Sequence, residues 1–277
     1  MTLAMSEKGM VLPRLEADRI LCFELGRSRA SLMTDTDSRV SESDFSKLIE
    51  LSLRRASGEP LAYILNDAIF CGRNFFVDSR VLIPRPETEI LTGIADGLLK
   101  DIPGGVFADW CAGSGCISVT LLAQNPEWYA YAADVSDDAL EVARANARRF
   151  SVDDRLVLLC CSDPSETDAI GSSSLDMVLA NPPYIPSGEI KSLERQVRGH
   201  EPILALDGGG DGLEIFRILL PGLTRLIKPG GLLLFETGGD AQAEAVARLA
   251  NKVSPDLFFD SVFSDHRGIS RFILWRK

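Results

Sequence analysis

The chain has few histidines, no spaced cysteine pair, no block of basic residues and no long apolar run. Among 277 residues only His200 and His266 are histidine, and none of Cys22, Cys71, Cys111, Cys116, Cys160 and Cys161 belongs to a C-x-x-C pair. That argues against the common zinc frameworks. Several of the cysteines fall in apolar runs, which predicts buried, reduced thiols in a cytoplasmic protein. No segment approaches the roughly 20 apolar residues of a membrane span, and the opening MTLAMSEKGMVLP has no apolar stretch of secretory length. Lys and Arg are scattered and the formal net charge is -11. An acidic surface repels a phosphate backbone, so direct nucleic-acid binding is not expected. There is no internal repeat and no low-complexity tract.

What is present supports a large α/β domain beside a smaller one, with a hydrophobic fraction of 45% to fill the cores. Residues 1–66 read as a small helical domain. Apolar positions recur at helical spacing from Pro13, Gly26 is placed as a stop, a second helix begins near Ser28, and a third begins near Ser43, where Ser-Glu-Ser-Asp offers capping side chains. Residues 67–85 read as a connector, with a β-hairpin over 69–83. In 86–277, strands at 106–111, 129–135, 155–161, 175–181 and 231–237 alternate with amphipathic stretches such as 136–150 and 241–252. That alternation predicts a doubly wound, mostly parallel sheet. Two last strands, near 256–263 and 270–276, have only a short turn between them and must run antiparallel to each other.

Three motifs fall at strand ends. Asp109-Trp-Cys-Ala-Gly113-Ser-Gly115 follows the first strand and opens a helix, where glycines admit a ligand and the free N–H groups favour its anionic part. The same kind of turn also binds nucleotides, and some are merely tight turns. Asp134 ends the second strand, where a carboxylate can take both ribose hydroxyls or else cap the helix beginning near Ser136. Asn181-Pro182-Pro183-Tyr184 ends the fourth. A planar NH2 group has two donors: the side-chain carbonyl of Asn181 can take one and the carbonyl of Pro182, held by ring-fixed φ angles, the other. Tyr184 offers a flat face. Such a pocket reads an amide or an exocyclic amino nitrogen.

With these motifs in order, the sequence resembles the HemK/PrmC-type release-factor glutamine N5-methyltransferases over nearly its whole length. Leu82-Ile-Pro-Arg-Pro-Glu-Thr-Glu89 matches that family's signature between its domains, and Gly58-Glu-Pro60 with Tyr63, Glu201-Pro202, Ala205-Leu206, Gly209, Asp211-Gly212-Leu213, Glu236, Gly238, Gln242, Asp265 and Arg271 also match. Ribosomal-protein glutamine methyltransferases and adenine N6-methyltransferases share part of this pattern, but the Arg-Pro-Glu-Thr-Glu run favours the release-factor group. The resemblance implies a Rossmann-like methyltransferase sheet and S-adenosylmethionine as cofactor, with S-adenosylhomocysteine as product. The substrate it implies is the glutamine of the Gly-Gly-Gln motif in class I peptide release factors. A monomer meeting its partner transiently is the default expectation, with the helical domain either helping docking or purely stabilising. By position, Asp109, Cys111, Ala112, Gly113, Ser114, Gly115, Asp134, Asp163, Pro164 and Asn181 hold the cofactor. Asn181, Pro182, Pro183 and Tyr184 hold the glutamine amide, with Asn181, Pro182 and Tyr184 as the catalytic set. Arg85, Pro86, Glu87 and Thr88 wall the pocket, or Arg85 pairs with Glu87 or Glu89 to fix a hinge. Three positions depart from the family pattern. Cys111 and Asp67 replace usual glycines, and Pro164 stands near a position often aromatic, which leaves Asp163 more of the adenine recognition.

Overall fold

The computed structural model describes residues 13–35, 38–100 and 102–277, so the opening residues read above for a secretory stretch lie outside it. The chain divides into two compact units, one running to Asp67 and including Glu194–His200, the other comprising Ala68–Leu193 and Glu201–Lys277.

The first unit is helical: α1 (Pro13–Leu25), α2 (Arg29–Thr34), α3 (Glu42–Ala56) and α4 (Leu61–Leu65), with a short helix at Arg195–His200. Ala17 and Ile20 of α1 pack with Leu48 and Leu51 of α3 and with Ile64 and Leu65 of α4. Helix starts follow the serines. Ser28 accepts from the Ser31 N–H, and Ser41, rather than Ser43, accepts from the Asp44 N–H, so α3 begins at Glu42. Arg55 on α3 donates to both oxygens of Glu16 on α1, at 2.6 and 3.0 Å. That two-pronged pair ties two helices at a nearly buried arginine.

The second unit opens with a hairpin of β1 (Ala68–Phe70) and β2 (Arg73–Phe75), followed by α5 (Pro86–Leu99). Its main sheet comprises β3 (Gly105–Trp110), β4 (Trp128–Asp134), β5 (Leu156–Cys160), β6 (Leu175–Ala180), β7 (Ile227–Glu236), β8 (Phe258–Ser264) and β9 (Ser270–Arg276), in the spatial order β5-β4-β3-β6-β7-β9-β8. The first five strands pair in parallel; β9 runs antiparallel to both β7 and β8. This is the expected mostly parallel sheet with an antiparallel C-terminal hairpin.

Side chains alternate across the sheet as the pleat requires. Phe107, Met177, Leu179 and Leu234 face one core, beneath α5, α6 (Cys116–Gln124) and α7 (Asp137–Arg149). Ala108, Val178, Ala180 and Phe235 face the other, beneath α8 (Glu214–Leu226) and α9 (Asp240–Val253). Strand order reverses at β3, because β4 lies on one side of it and β6 on the other. The carboxyl ends of β3, β4 and β6 therefore meet at the crevice where open α/β sheets bind ligands.

Two expectations are corrected. The hairpin read over 69–83 stops at Phe75, because the backbone of Phe76 is taken by a side chain instead of a strand. Asn146, buried on α7, accepts from the Phe76 N–H at 2.7 Å and donates to the Phe76 carbonyl at 2.9 Å. Beyond it, Val77 and Val81 are buried as anchors and not as strand residues. The cysteines are all free, as expected of thiols, but only Cys116 is buried; Cys160 is exposed and the others are half-buried. Placement at a strand end, where the chain turns outward, outweighs the apolar run around Cys160.

Candidate functional site

A cavity of about 250 Å3 lies within the second unit, at the carboxyl ends of β3, β4 and β6. Its walls include Cys111, Ala112, Gly113 and Ser114 from the turn after β3, Asp134 from β4, and Asn181 and Pro183 from the residues after β6. Arg85 and Thr88 line it from the start of α5, and the apolar wall is made by Trp110, Ile117, Ala139, Ile215 and Leu219. The three motifs, far apart in sequence, thus share one space.

The turn after β3 is shaped for close approach. Gly113 sits at φ +53° with no atom within 4 Å of where a Cβ would stand, so a ligand meets backbone there. Gly115, at φ +72°, serves packing instead: a Cβ would stand 3.1 Å from that of Ala143 on α7. Cys111 adopts φ +62°, the left-handed region that favours glycine, which explains why a glycine is usual here. Its thiol is pushed well above its ordinary value by burial, with Asp134 and Asp109 adding to the shift, and it stays neutral.

Asp134 accepts from the Gly113 N–H at 2.9 Å through Oδ2 and from the Ser136 N–H at 3.0 Å through Oδ1. The Val135 N–H also bonds this carboxylate, which lines the cavity wall where ribose hydroxyls would approach. Ser136 itself caps α7 by accepting from the Ala139 N–H at 3.2 Å, so the capping role considered for Asp134 is taken by its neighbour. An open glycine, a carboxylate at a strand end and an apolar wall suit a ribose-bearing ligand.

Not every expected cofactor residue reaches the cavity. Asp109 is fully buried and accepts from the Ser118 N–H at 3.0 Å, tying β3 to α6; burial pushes its carboxyl up to about 7. Asp163 and Pro164 also stand apart. Asp163 accepts from the Ser165 N–H to start a short 3-10 turn, and Pro164 is buried against Gly222 of α8, where a Cβ would stand 2.8 Å from the proline ring. Cys161 and Ser162, one turn of chain earlier, line the cavity in their stead. Pro164 therefore reads as a packing residue, because a small flat ring fits where the helix offers only a glycine.

The acceptor motif is fixed at both ends. At its start, Asn181 Nδ2 donates to Thr88 Oγ1 at 3.0 Å, and Thr88 Oγ1 donates to Glu236 at 2.9 Å. Among the described residues no donor reaches Asn181 Oδ1. Pro182 is buried directly after β6. At the other end, Gln242 Nε2 donates to the carbonyls of Tyr184 and Gly212 at 2.8 and 3.0 Å, while its Oε1 accepts from the Gly238 N–H at 2.7 Å. Every polar atom of that glutamine is used to hold the loop. Burial pushes the Tyr184 phenol up, so it remains un-ionised.

Arg85 pairs with Glu201 at 2.6 Å, not with Glu87 or Glu89 as the sequence suggested. Glu201 is buried and also accepts from the Ile83 N–H at 3.1 Å, and Glu89 is occupied by the Cys71 N–H at 2.9 Å. Pro86 and Glu87 form the first turn of α5 outside the cavity wall. Sequence reasoning gave Glu236, Gln242 and Glu201 only as family matches and missed Asn146 entirely. Asn146 does more than hold Phe76: its amide also donates to the Ser114 carbonyl at 2.9 Å, joining the glycine turn to the segment before α5. Its signal was an asparagine on the apolar face of an amphipathic helix. Asn146→Ala would leave three backbone groups unpaired, the buried Ser114 carbonyl at about 1–3 kcal/mol and the two part-buried groups of Phe76 at less. A correspondingly large fall in melting temperature, together with weakened cofactor binding, is the expected outcome of calorimetry and titration.

Glu236 is buried, and its carboxyl is pushed up to about 7 from an ordinary 4.5, chiefly by burial, against the pull of the Thr88 hydroxyl and Arg271. The folded protein therefore holds this proton more tightly than the unfolded chain does. The resulting stability is complete below 4.5 and is lost as pH rises through about 7. Melting curves from about pH 5 to 8 check this: the melting temperature of Glu236→Gln, measured relative to the unsubstituted chain, is expected to rise with pH.

Sequence and fold comparisons give the family and the fold. A model described as the PrmC N-terminal domain matches residues 2–65, and one described as the methyltransferase small domain matches residues 88–206. A release factor glutamine methyltransferase of Nitratidesulfovibrio vulgaris is 41% identical over 96% of this chain and 88% of its own, and one of Geobacter sulfurreducens is 34% identical over 97% and 91%. In fold, the catalytic domain of hMettl16, solved in complex with MAT2A 3'UTR hairpin 6, superposes over 86% of this chain and 84% of its own with a TM-score of 0.56, at 16% identity. Methyltransferases of this fold use S-adenosylmethionine. With identity of this order across nearly its full length, the chain belongs to the release factor glutamine methyltransferases.

Proposed function

We propose that this chain transfers a methyl group from S-adenosylmethionine to the side-chain amide nitrogen of the glutamine in the Gly-Gly-Gln motif of class I peptide release factors. The observation that carries this reading is the state of Asn181: its NH2 is committed to Thr88, and its carbonyl oxygen is left as an acceptor at the wall of the cavity.

S-adenosylmethionine, when bound, supplies a methyl group activated on a sulfonium. Asp134 would hold the two ribose hydroxyls, and Gly113, with Cys111 and Ser114, would present backbone to the amino-acid end. Amide nitrogen is a poor nucleophile, because its lone pair is delocalised into the carbonyl. Asn181 Oδ1 accepts one of its N–H groups and the carbonyl of Pro182 the other, turning the nitrogen toward the methyl and dispersing the positive charge that develops there. Tyr184, held by Gln242 through its carbonyl, gives the amide plane a flat neutral face. The nitrogen then loses its proton to water. No covalent intermediate on the protein is required, and the neutral thiol of Cys111 is not a competing nucleophile. The Arg85–Glu201 pair fixes the segment before α5 against the loop that carries Leu204 and Ala205, which line the cavity.

The test is methyl incorporation into a mixture of release factor and nucleic acid. Label that survives nuclease and disappears with protease supports the reading. Label that follows the nucleic acid overturns it.

A further inference from the structure

The acceptor pocket must distinguish glutamine from glutamate, two side chains of nearly the same shape. The difference lies in one atom: an NH2 that donates against an oxygen that only accepts. An asparagine is an ambiguous reader of that difference, since either end of its own amide can face the substrate. Something must fix which end does.

Three side chains from three elements meet to fix it. Thr88 stands in the first turn of α5, Asn181 follows β6, and Glu236 ends β7. Thr88 and Glu236 are both buried. Once Glu236 is ionised, above about pH 7, it has no proton to give, so the Thr88 hydroxyl, with its single proton, donates to it. That leaves only lone pairs on Thr88 Oγ1 toward Asn181. Asn181 must then turn its NH2 to Thr88, as observed at 3.0 Å, and its carbonyl toward the cavity. Rotating the amide by half a turn would set oxygen against oxygen at a buried site, with the threonine proton already committed.

We propose that Thr88 and Glu236 are positioning residues that fix the orientation of the Asn181 amide and thereby make the site select glutamine over glutamate. This rests on the reading of the acceptor as a glutamine amide. Glu236 touches no substrate: it sets the direction of the Thr88 hydroxyl, and Thr88 sets the amide. With the carbonyl outward, a glutamine NH2 finds an acceptor, whereas a glutamate oxygen meets another oxygen. With the relay broken, the amide can present its NH2 and accommodate the carboxylate.

The experiment, at about pH 8 or above where Glu236 is ionised, uses the full chain with a class I release factor as substrate and the same factor carrying Gly-Gly-Glu as competitor. Thr88→Val keeps the shape and removes the hydroxyl. It is expected to lower kcat/KM by about 100-fold, the scale for losing one preorganised contact. S-adenosylmethionine affinity should be unchanged by titration calorimetry. Inhibition by the Gly-Gly-Glu factor should tighten by about 10-fold relative to the affinity for Gly-Gly-Gln. Thr88→Ser, which restores the hydroxyl, should return both values toward those of the unsubstituted chain. A loss of packing alone would leave the glutamine-to-glutamate ratio where it was. If Thr88→Val does not fold, Glu236→Gln decides, since its amide can either donate or accept and no longer fixes the relay; it should shift the same ratio in the same direction. An unchanged ratio in the folded variant, or failure of Thr88→Ser to recover it, overturns the proposal. An unsubstituted chain that leaves the release factor unmethylated refutes the proposed function instead, so the two failures are distinguishable.

Discussion

Asn181→Ala is expected to lower turnover on a release factor by about two orders of magnitude, the usual scale for removing one contact to developing charge. S-adenosylmethionine binding should persist, because the ribose carboxylate and the glycine turn lie on other strands. The loss should appear in kcat rather than in cofactor affinity, since the contact strengthens as positive charge develops on the nitrogen. Asn181→Asp is expected to rescue little. A carboxylate has no N–H for Thr88, and it would bring a negative charge near the buried Glu236 carboxyl. Single-turnover rates at saturating cofactor, with titration calorimetry alongside, check both variants. Near-normal turnover in Asn181→Ala would contradict the role given to this side chain.

Asp134→Ala is expected to act on the other half of the site. Two hydroxyls bonded to a carboxylate are worth about 1.5–3 kcal/mol each, so cofactor affinity should fall by about 100-fold or more. The N–H groups of Gly113 and Ser136 would also lose their acceptor, loosening the turn itself. Asp134→Asn is no milder in principle. Each oxygen faces a backbone N–H, and an amide must point its NH2 at one of them. Titration with S-adenosylhomocysteine measures the effect without turnover. An Asp134→Asn affinity equal to that of the unsubstituted chain would remove Asp134 from the ribose site.

The sequence was most informative where a residue's local setting decides its role. Strand ends follow from the switch between apolar runs and turn residues, so Asp134 and Asn181 could be placed at carboxyl edges before any coordinates, and the parallel sheet with its antiparallel end followed from connection lengths. It was least informative where two distant strands must be in register before a contact exists. Thr88 meets Asn181 across 93 positions and Glu236 across 148. Neither contact leaves a trace in spacing. Arg85 offered two nearby carboxylates by sequence, and it takes Glu201, 116 positions away, because α5 turns Glu89 toward the Cys71 backbone. Asp163 and Pro164 were placed by analogy at the adenine. The packing of Pro164 on Gly222 draws them under α8 and leaves Cys161 and Ser162 at the wall. The hairpin ended early for a similar reason: Asn146 supplied the hydrogen bonds that strand continuation would have needed.

The most direct measurement is mass spectrometry of a class I release factor after incubation with this chain and S-adenosylmethionine. One added methyl group on the glutamine of Gly-Gly-Gln, absent when that residue is replaced by glutamate and absent with Asn181→Ala over the same time, is the predicted result. A methyl group on any other residue, or an unmodified release factor with a chain shown to bind the cofactor, would contradict it.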